Sequence, residues 1–126
     1  MRPVRIVLVE DNEVFRDALE LLLGMRSDVQ IVAAVGDGAA AVSAAVEHHP
    51  DVMLMDYRMP ALDGIQATAQ VVAAMPDVAV VALTASADAA EREALVEAGA
   101  VACLAKDQEL DEIVAAILDA AAATAG

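Results

Sequence analysis

The chain has 126 residues, enough for one ordinary domain, and carries a formal charge of −14, which excludes sequence-independent nucleic-acid binding because that needs clustered Lys and Arg. Its 60% hydrophobic content includes 31 Ala, and no run approaches the ~20 apolar residues of a spanning helix, so a helical membrane span is excluded on the same grounds. One Tyr, one Phe and no Trp leave no platform for stacking bases, and a single Cys matches neither an internal disulfide nor a zinc spacing, pointing to a reducing cytoplasm.

Met1-Arg2-Pro3-Val4-Arg5 leads into too short an apolar run for a secretory signal; Val4 to Val9 instead reads as a first strand, stopped by Glu10-Asp11-Asn12, which can cap a helix. In that helix Val14, Ala18, Leu21, Leu22 and Met25 recur at helical spacing and predict the inward face. Val29 to Val35 predicts a second strand, Gly36-Asp37-Gly38 a turn, and Ala39 to His49 an Ala-rich helix ended by Pro50. His48 and His49, adjacent on that helix, read as solvent-facing cations at its end rather than as a ligand pair.

Val52-Met53-Leu54-Met55 predicts a short strand buried on both faces and ending at Asp56, with Pro60 and Asp63-Gly64 turning the chain. Ile65, Thr68, Ala69, Val72 and Met75 mark a third helix closed by Pro76-Asp77, and Val78 to Leu83 a strand ending at Thr84. A helix from Asp88 to Ala98 follows, with Ala87, Ala89 and Ala90 giving it few anchors, then Gly99 as its end and Val101 to Ala105 as a fifth strand ending at Lys106. Leu110, Ile113, Val114, Ile117 and Leu118 form the stripe of a last helix, and the Ala-rich tail 120–126 is expected to fray. The six Met residues read as core filling.

Five strands alternating with five helices predict an α/β flavodoxin-like (βα)5 domain, a doubly wound parallel sheet of strand order 2-1-3-4-5 with its crevice between strands one and three. Four of those strands end in a group with chemistry: Glu10 and Asp11, Asp56, Thr84 and Lys106. Two unit charges about 4 Å apart repel by about 4 kcal/mol at an effective dielectric near 20, so three carboxylates on one edge call for compensation. Lys106 supplies one positive charge, and an oxygen-only donor set favours Mg2+ or Mn2+ over zinc for the rest. A carboxylate beside such a cation, with a hydroxyl and an ammonium, is equipment for accepting a phosphoryl group.

These residues resemble the receiver domain of two-component response regulators, over essentially the whole chain. The resemblance is carried by Leu8-Val9-Glu10-Asp11-Asn12, Met55-Asp56-Tyr57-Arg58-Met59-Pro60 with Asp63-Gly64, Leu83-Thr84-Ala85, and Ala98-Gly99-Ala100 leading to Lys106-Asp107. It implies Asp56 as phosphoacceptor, Glu10, Asp11, Asp56 and the backbone carbonyl of Arg58 as the magnesium site, Thr84 as the switch hydroxyl and Lys106 as the phosphoryl-binding lysine. The Glu-Asp opening and Lys106-Asp107 are similar to the NarL/FixJ-like group. That likeness implies a sensor histidine kinase as donor, a possible homodimer, cytoplasmic localisation, and DNA contact only through a C-terminal helix-turn-helix domain outside residues 1–119 and their Ala-rich tail 120–126. Catalysis beyond the domain's own phosphorylation and dephosphorylation is not implied. One position departs from the pattern: Cys103 stands where receivers usually carry an aromatic ring that swings with the switch hydroxyl, and it reads either as a small buried apolar residue or as a redox-sensitive replacement.

Three rivals compete. Gly36-x-Gly38-x-x-Ala41 with Asp56 twenty residues on suggests a dinucleotide fingerprint, but it sets Asp37 against a pyrophosphate and leaves Thr84 and Lys106 unexplained. An Asp-nucleophile phosphatase resembles a pattern with a second Asp where Arg58 stands. A non-phosphorylated pseudo-receiver, a binding module only, is separated from the main reading by metal-dependent phosphorylation.

Overall fold

The computed structural model describes residues 2–57, 63–84 and 88–125. Its elements alternate through β1 (Val4–Val9), α1 (Glu13–Gly24), β2 (Val29–Val35), α2 (Gly38–His48), β3 (Val52–Asp56), α3 (Gly64–Ala74), β4 (Ala79–Thr84), α4 (Ala89–Ala98), β5 (Ala102–Ala105) and α5 (Leu110–Ala125). The strands pair in parallel in the order β2-β1-β3-β4-β5, the predicted doubly wound sheet. Each strand-to-helix step reverses the chain, and an Asx side chain caps four of the helices: Asn12, Asp37, Asp63 and Asp88 accept from the backbone N–H of Phe15, Ala40, Gln66 and Glu91 at 2.7 to 3.0 Å.

Strand periodicity divides the core into two layers. Val7, Val9, Met53, Met55, Val80 and Ala82 meet α2, α3 and α4 on one face, while Ile6, Leu8, Leu54, Val81 and Leu83 meet α1 and α5 on the other. β3 and β4 are buried along their whole length, which is why they read as continuous apolar runs.

Several local expectations are corrected. On α1 the predicted inward stripe faces outward: Val14, Leu21 and Met25 are 80%, 69% and 76% exposed, Ala18 and Leu22 are exposed too, and Leu19 and Leu23, with Phe15 beside them, pack on the sheet. Glu13, Arg16, Asp17 and Glu20 line one side of the helix and the apolar residues span a wide arc opposite, so spacing alone leaves open which edge of that arc meets the sheet. The short β1–α1 connection and the Asn12 cap select the one that meets the sheet. On α3 the buried line is Gly64, Ala67, Thr68 and Val71, with Ala69 exposed. α5 continues through Ala125 instead of fraying, with Ala120 still buried. Met53 and Met55 fill the core, but Met25 lies on the surface. His48 is half-buried with Glu47 3.9 Å away, and His49, exposed, adopts a left-handed backbone (φ 46°) that ends α2.

Candidate functional site

The carboxyl edge of the sheet gathers the groups that the strand ends promised. Glu10 follows β1, Asp56 is the last residue of β3, Thr84 is the last of β4, and Lys106 follows β5 directly. Register explains the meeting: Asp56 pairs with Leu83 and Thr84 with Ala105, so three neighbouring strands finish within one residue of one another. The backbone continues the ladder past the strands, with Tyr57 N–H donating to Leu83 O at 3.0 Å and Lys106 N–H to Thr84 O at 2.8 Å. Thr84 is buried at that edge.

Glu10 is 1% exposed and Asp56 3%, whereas Asp11 is exposed. Carboxylate oxygens of Glu10, Asp11 and Asp56 all lie within 4.8 Å of one another. The Lys106 ammonium enters this cluster, 2.6 Å from Glu10 Oε1 and 3.2 Å from Asp56 Oδ1. Among the described residues that ammonium is what meets the otherwise unpartnered Glu10 Oε1. The other Glu10 oxygen accepts from Asn12 N–H at 3.0 Å.

The electrostatics follow from burial and crowding. Burial, a hydrogen bond shared with Glu10, the charge of Glu10 and the neighbouring Asp11 push the Asp56 carboxyl from its ordinary 3.8 up to about 7, against the opposing pull of Lys106. Burial alone would lower the Lys106 ammonium, but its hydrogen bond to Glu10 and the charges of Asp56 and Glu10 outweigh that and raise it. One ammonium therefore serves three carboxylates. A hard divalent cation with oxygen ligands fits the remaining charge, and the three facing carboxylates fit such a cation. The Arg58 carbonyl, expected to complete that ligand set, lies outside the described residues, as do Ala85 and Ala87.

Several positioning contacts were not read from the sequence. Arg16 donates through a terminal guanidinium nitrogen to the Glu10 carbonyl oxygen at 2.8 Å, tying α1 to the end of β1. Gln108 Oε1 accepts from Ala105 N–H at 2.9 Å and fixes the turn that carries Lys106. Phe15 places its ring centroid 4.8 Å from Lys106 Nζ. Gly64 is required because a Cβ there would stand 2.5 Å from the Asp56 carbonyl oxygen and 2.7 Å from Tyr57 Cα. Only the Asp63-Gly64 pair carried a sequence signal, as a turn. The other contacts join side chains whose meeting no spacing announces.

Cys103 is half-buried and packs against the layer formed with α2, α3 and α4. Burial pushes its thiol up, although Arg92 pulls the other way.

Comparison with known proteins agrees with this arrangement. The family model described as "Response regulator receiver domain" matches residues 6–118. Transcriptional regulatory protein LiaR of Bacillus subtilis is 36% identical over 114 residues, covering 90% of this chain and 54% of that protein. Transcriptional regulatory protein LnrK of the same organism is 34% identical over 115 residues, covering 91% and 52%. The chain thus spans about half the length of the curated relatives it matches. Among solved structures, the signal receiver domain of NarL from Mycobacterium tuberculosis superposes with a TM-score of 0.91 at 37% identity, covering 96% of this chain and 98% of that one. The receiver domain of a sensor histidine kinase from Pseudomonas aeruginosa, solved with a magnesium ion coordinated in its active-site cleft, gives 0.80 at 34% identity, covering 95% and 98%. With the family pattern spanning nearly all of its sheet and helices, this chain belongs to the receiver-domain family of two-component response regulators.

Proposed function

We propose that Asp56 accepts a phosphoryl group from the phosphohistidine of a sensor histidine kinase and that the modified domain controls an output, transcription in view of the transcriptional regulators it is similar to. The observation that carries this reading is the Lys106 ammonium held between Glu10 and Asp56 at 2.6 and 3.2 Å, beside three carboxylates that one cation cannot balance. Glu10, Asp11 and Asp56, with the Arg58 carbonyl, would hold Mg2+ or Mn2+. When bound, that ion supplies charge neutralisation for the transferring oxygens.

The chain's own residues account for the rest. An Asp56 oxygen attacks phosphorus, forming an O–P bond as the N–P bond to the donor imidazole breaks, and the electron pair leaves with the imidazole, which takes up a proton. Lys106 pairs with the transferred oxygens, and Thr84, at the neighbouring strand end, donates its hydroxyl to the new dianion. The exposed apolar residues Val14 and Leu21, seven apart and so on one side of the helix that starts at the site, give the donor protein's helices a surface to rest on. The response passes to α4, β5 and α5. α4 holds on by one fully buried residue, Leu95, and every residue of β5 is only half-buried, so these elements are the least anchored against the sheet. With Cys103 in place of a swinging ring, that coupling runs through repacking of α4 rather than rotation of an aromatic side chain.

In this reading residues 1–119 act as the receiver, the tail 120–126 leads toward an output domain, DNA is reached only through a helix-turn-helix in that domain, and the protein works in the cytoplasm. No described helix is long and apolar enough to cross a membrane. Acetyl phosphate with Mg2+ should add one acid-stable, base-labile phosphoryl group, which Asp56→Asn or an excess of EDTA should abolish. An unmodified protein, or equal modification of the variant, reduces the domain to a pseudo-receiver that only binds.

A further inference from the structure

The chain has one phenylalanine and one lysine, and the fold brings them together: Phe15, on the sheet-facing side of α1, presents its ring to Lys106 Nζ at 4.8 Å from the centroid. We propose that Phe15 is a positioning residue for phosphoryl transfer, its ring face holding the Lys106 ammonium against the carboxylates of Glu10 and Asp56. The inference rests on Asp56 being the phosphoacceptor.

An ammonium has three N–H donors, and carboxylate oxygens stand at 2.6 and 3.2 Å from Nζ. The aromatic ring lies within the ~6 Å over which a π face attracts a cation, and the Lys106 side chain is only 19% exposed, so little water screens the contact. The carboxylate contacts are directional, whereas the attraction of a ring face is broad in angle. The ammonium can therefore pivot from Glu10 toward a phosphoryl group on Asp56 while keeping its ring contact. A leucine at position 15 would fill part of the space and keep α1 on the sheet, but would give the cation nothing.

Packing and cation attraction make opposite predictions for a fluorinated ring, which is more hydrophobic but has a weaker π face. Because Phe15 is the sole phenylalanine and Lys106 the sole lysine, fluorinated phenylalanine and ε-carbon-labelled lysine each report on a single site. Through mono-, di- and pentafluorophenylalanine, the KM for acetyl phosphate should rise stepwise to roughly three- to tenfold with kcat nearly constant, while the unfolding midpoint holds or rises. Phe15→Tyr should keep the parent KM. In unmodified protein the Lys106 ε-methylene protons should be displaced upfield by the ring current, and Phe15→Leu should abolish the displacement. A KM flat across the series, or an undisplaced lysine signal, overturns the proposal. Failure of the parent protein to take up phosphate on Asp56 defeats the underlying reading instead, and the lysine signal, which needs no phosphorylation, tells the two failures apart.

Discussion

Asp56→Asn should stabilise the metal-free protein, and the gain should depend on pH. The folded state holds the Asp56 carboxyl at about 7 instead of 3.8, so between those values it binds a proton that the unfolded chain has already lost. Stability therefore falls as pH rises through that window, and the whole penalty is present only above about 7. Holding a proton one pH unit beyond its ordinary range corresponds to about 1.36 kcal/mol, so the cost approaches about 4 kcal/mol near pH 8, about 2 near pH 5, and vanishes below the ordinary carboxyl range. Asn cannot ionise and avoids it throughout. Urea unfolding followed by far-ultraviolet circular dichroism, in EDTA near pH 5 and near pH 8, should show Asp56→Asn the more stable at both, with the gap more than doubling toward alkaline pH. Added Mg2+ should then narrow the alkaline gap, because a ligand that binds only the folded state adds about 2.7 kcal/mol to the parent at roughly 100 times its Kd. A gap that ignores pH, or a parent protein more stable than the variant near pH 8, would refute the electrostatic account of the site.

Other substitutions probe neighbouring parts of the argument. Gly64→Ala should cost about 1 to 3 kcal/mol in urea unfolding, because the added Cβ meets the Asp56 carbonyl oxygen at 2.5 Å, and Mg2+ affinity measured by calorimetry should fall with it. Gly99→Ala should destabilise by about 1 to 3 kcal/mol, since φ 120° disfavours any side chain and Val72 Cγ2 lies 2.8 Å from the new atom. Amide exchange should then speed up first in α4. Thr68→Val should stabilise by about 1 kcal/mol in the same urea assay, because the fully buried Thr68 hydroxyl has no hydrogen-bond partner among the described residues. Lys106→Met should leave the fold intact but slow loading by acetyl phosphate at least about tenfold, read by intact mass, as the only cation within reach of both Glu10 and Asp56 among the described residues is removed.

The buried strands and the residues that end them were legible in the sequence. Val52 to Met55 and Val80 to Leu83 are apolar without alternation because both their faces are covered, and that pattern needs no knowledge of what covers them. Alternation of five strands with five helices fixed the class of sheet, and parallel crossovers put Glu10, Asp11, Asp56, Thr84 and Lys106 on one edge. The orientation of α1 was not legible. Val14, Phe15, Ala18, Leu19, Leu21, Leu22, Leu23 and Met25 make one wide apolar arc, and only docking through a tightly capped connection shows that its Phe15, Leu19 and Leu23 edge turns inward. Nor could spacing reveal that Phe15 meets Lys106, or that Arg16 holds the Glu10 carbonyl, because side-chain contacts across elements depend on helix rotation about its own axis. Periodicity and chain-end chemistry are local properties that one strand carries by itself. Helix phase and the crowding that lifts Asp56 to about 7 exist only once separate segments exclude water together, and so they were decided by the tertiary structure.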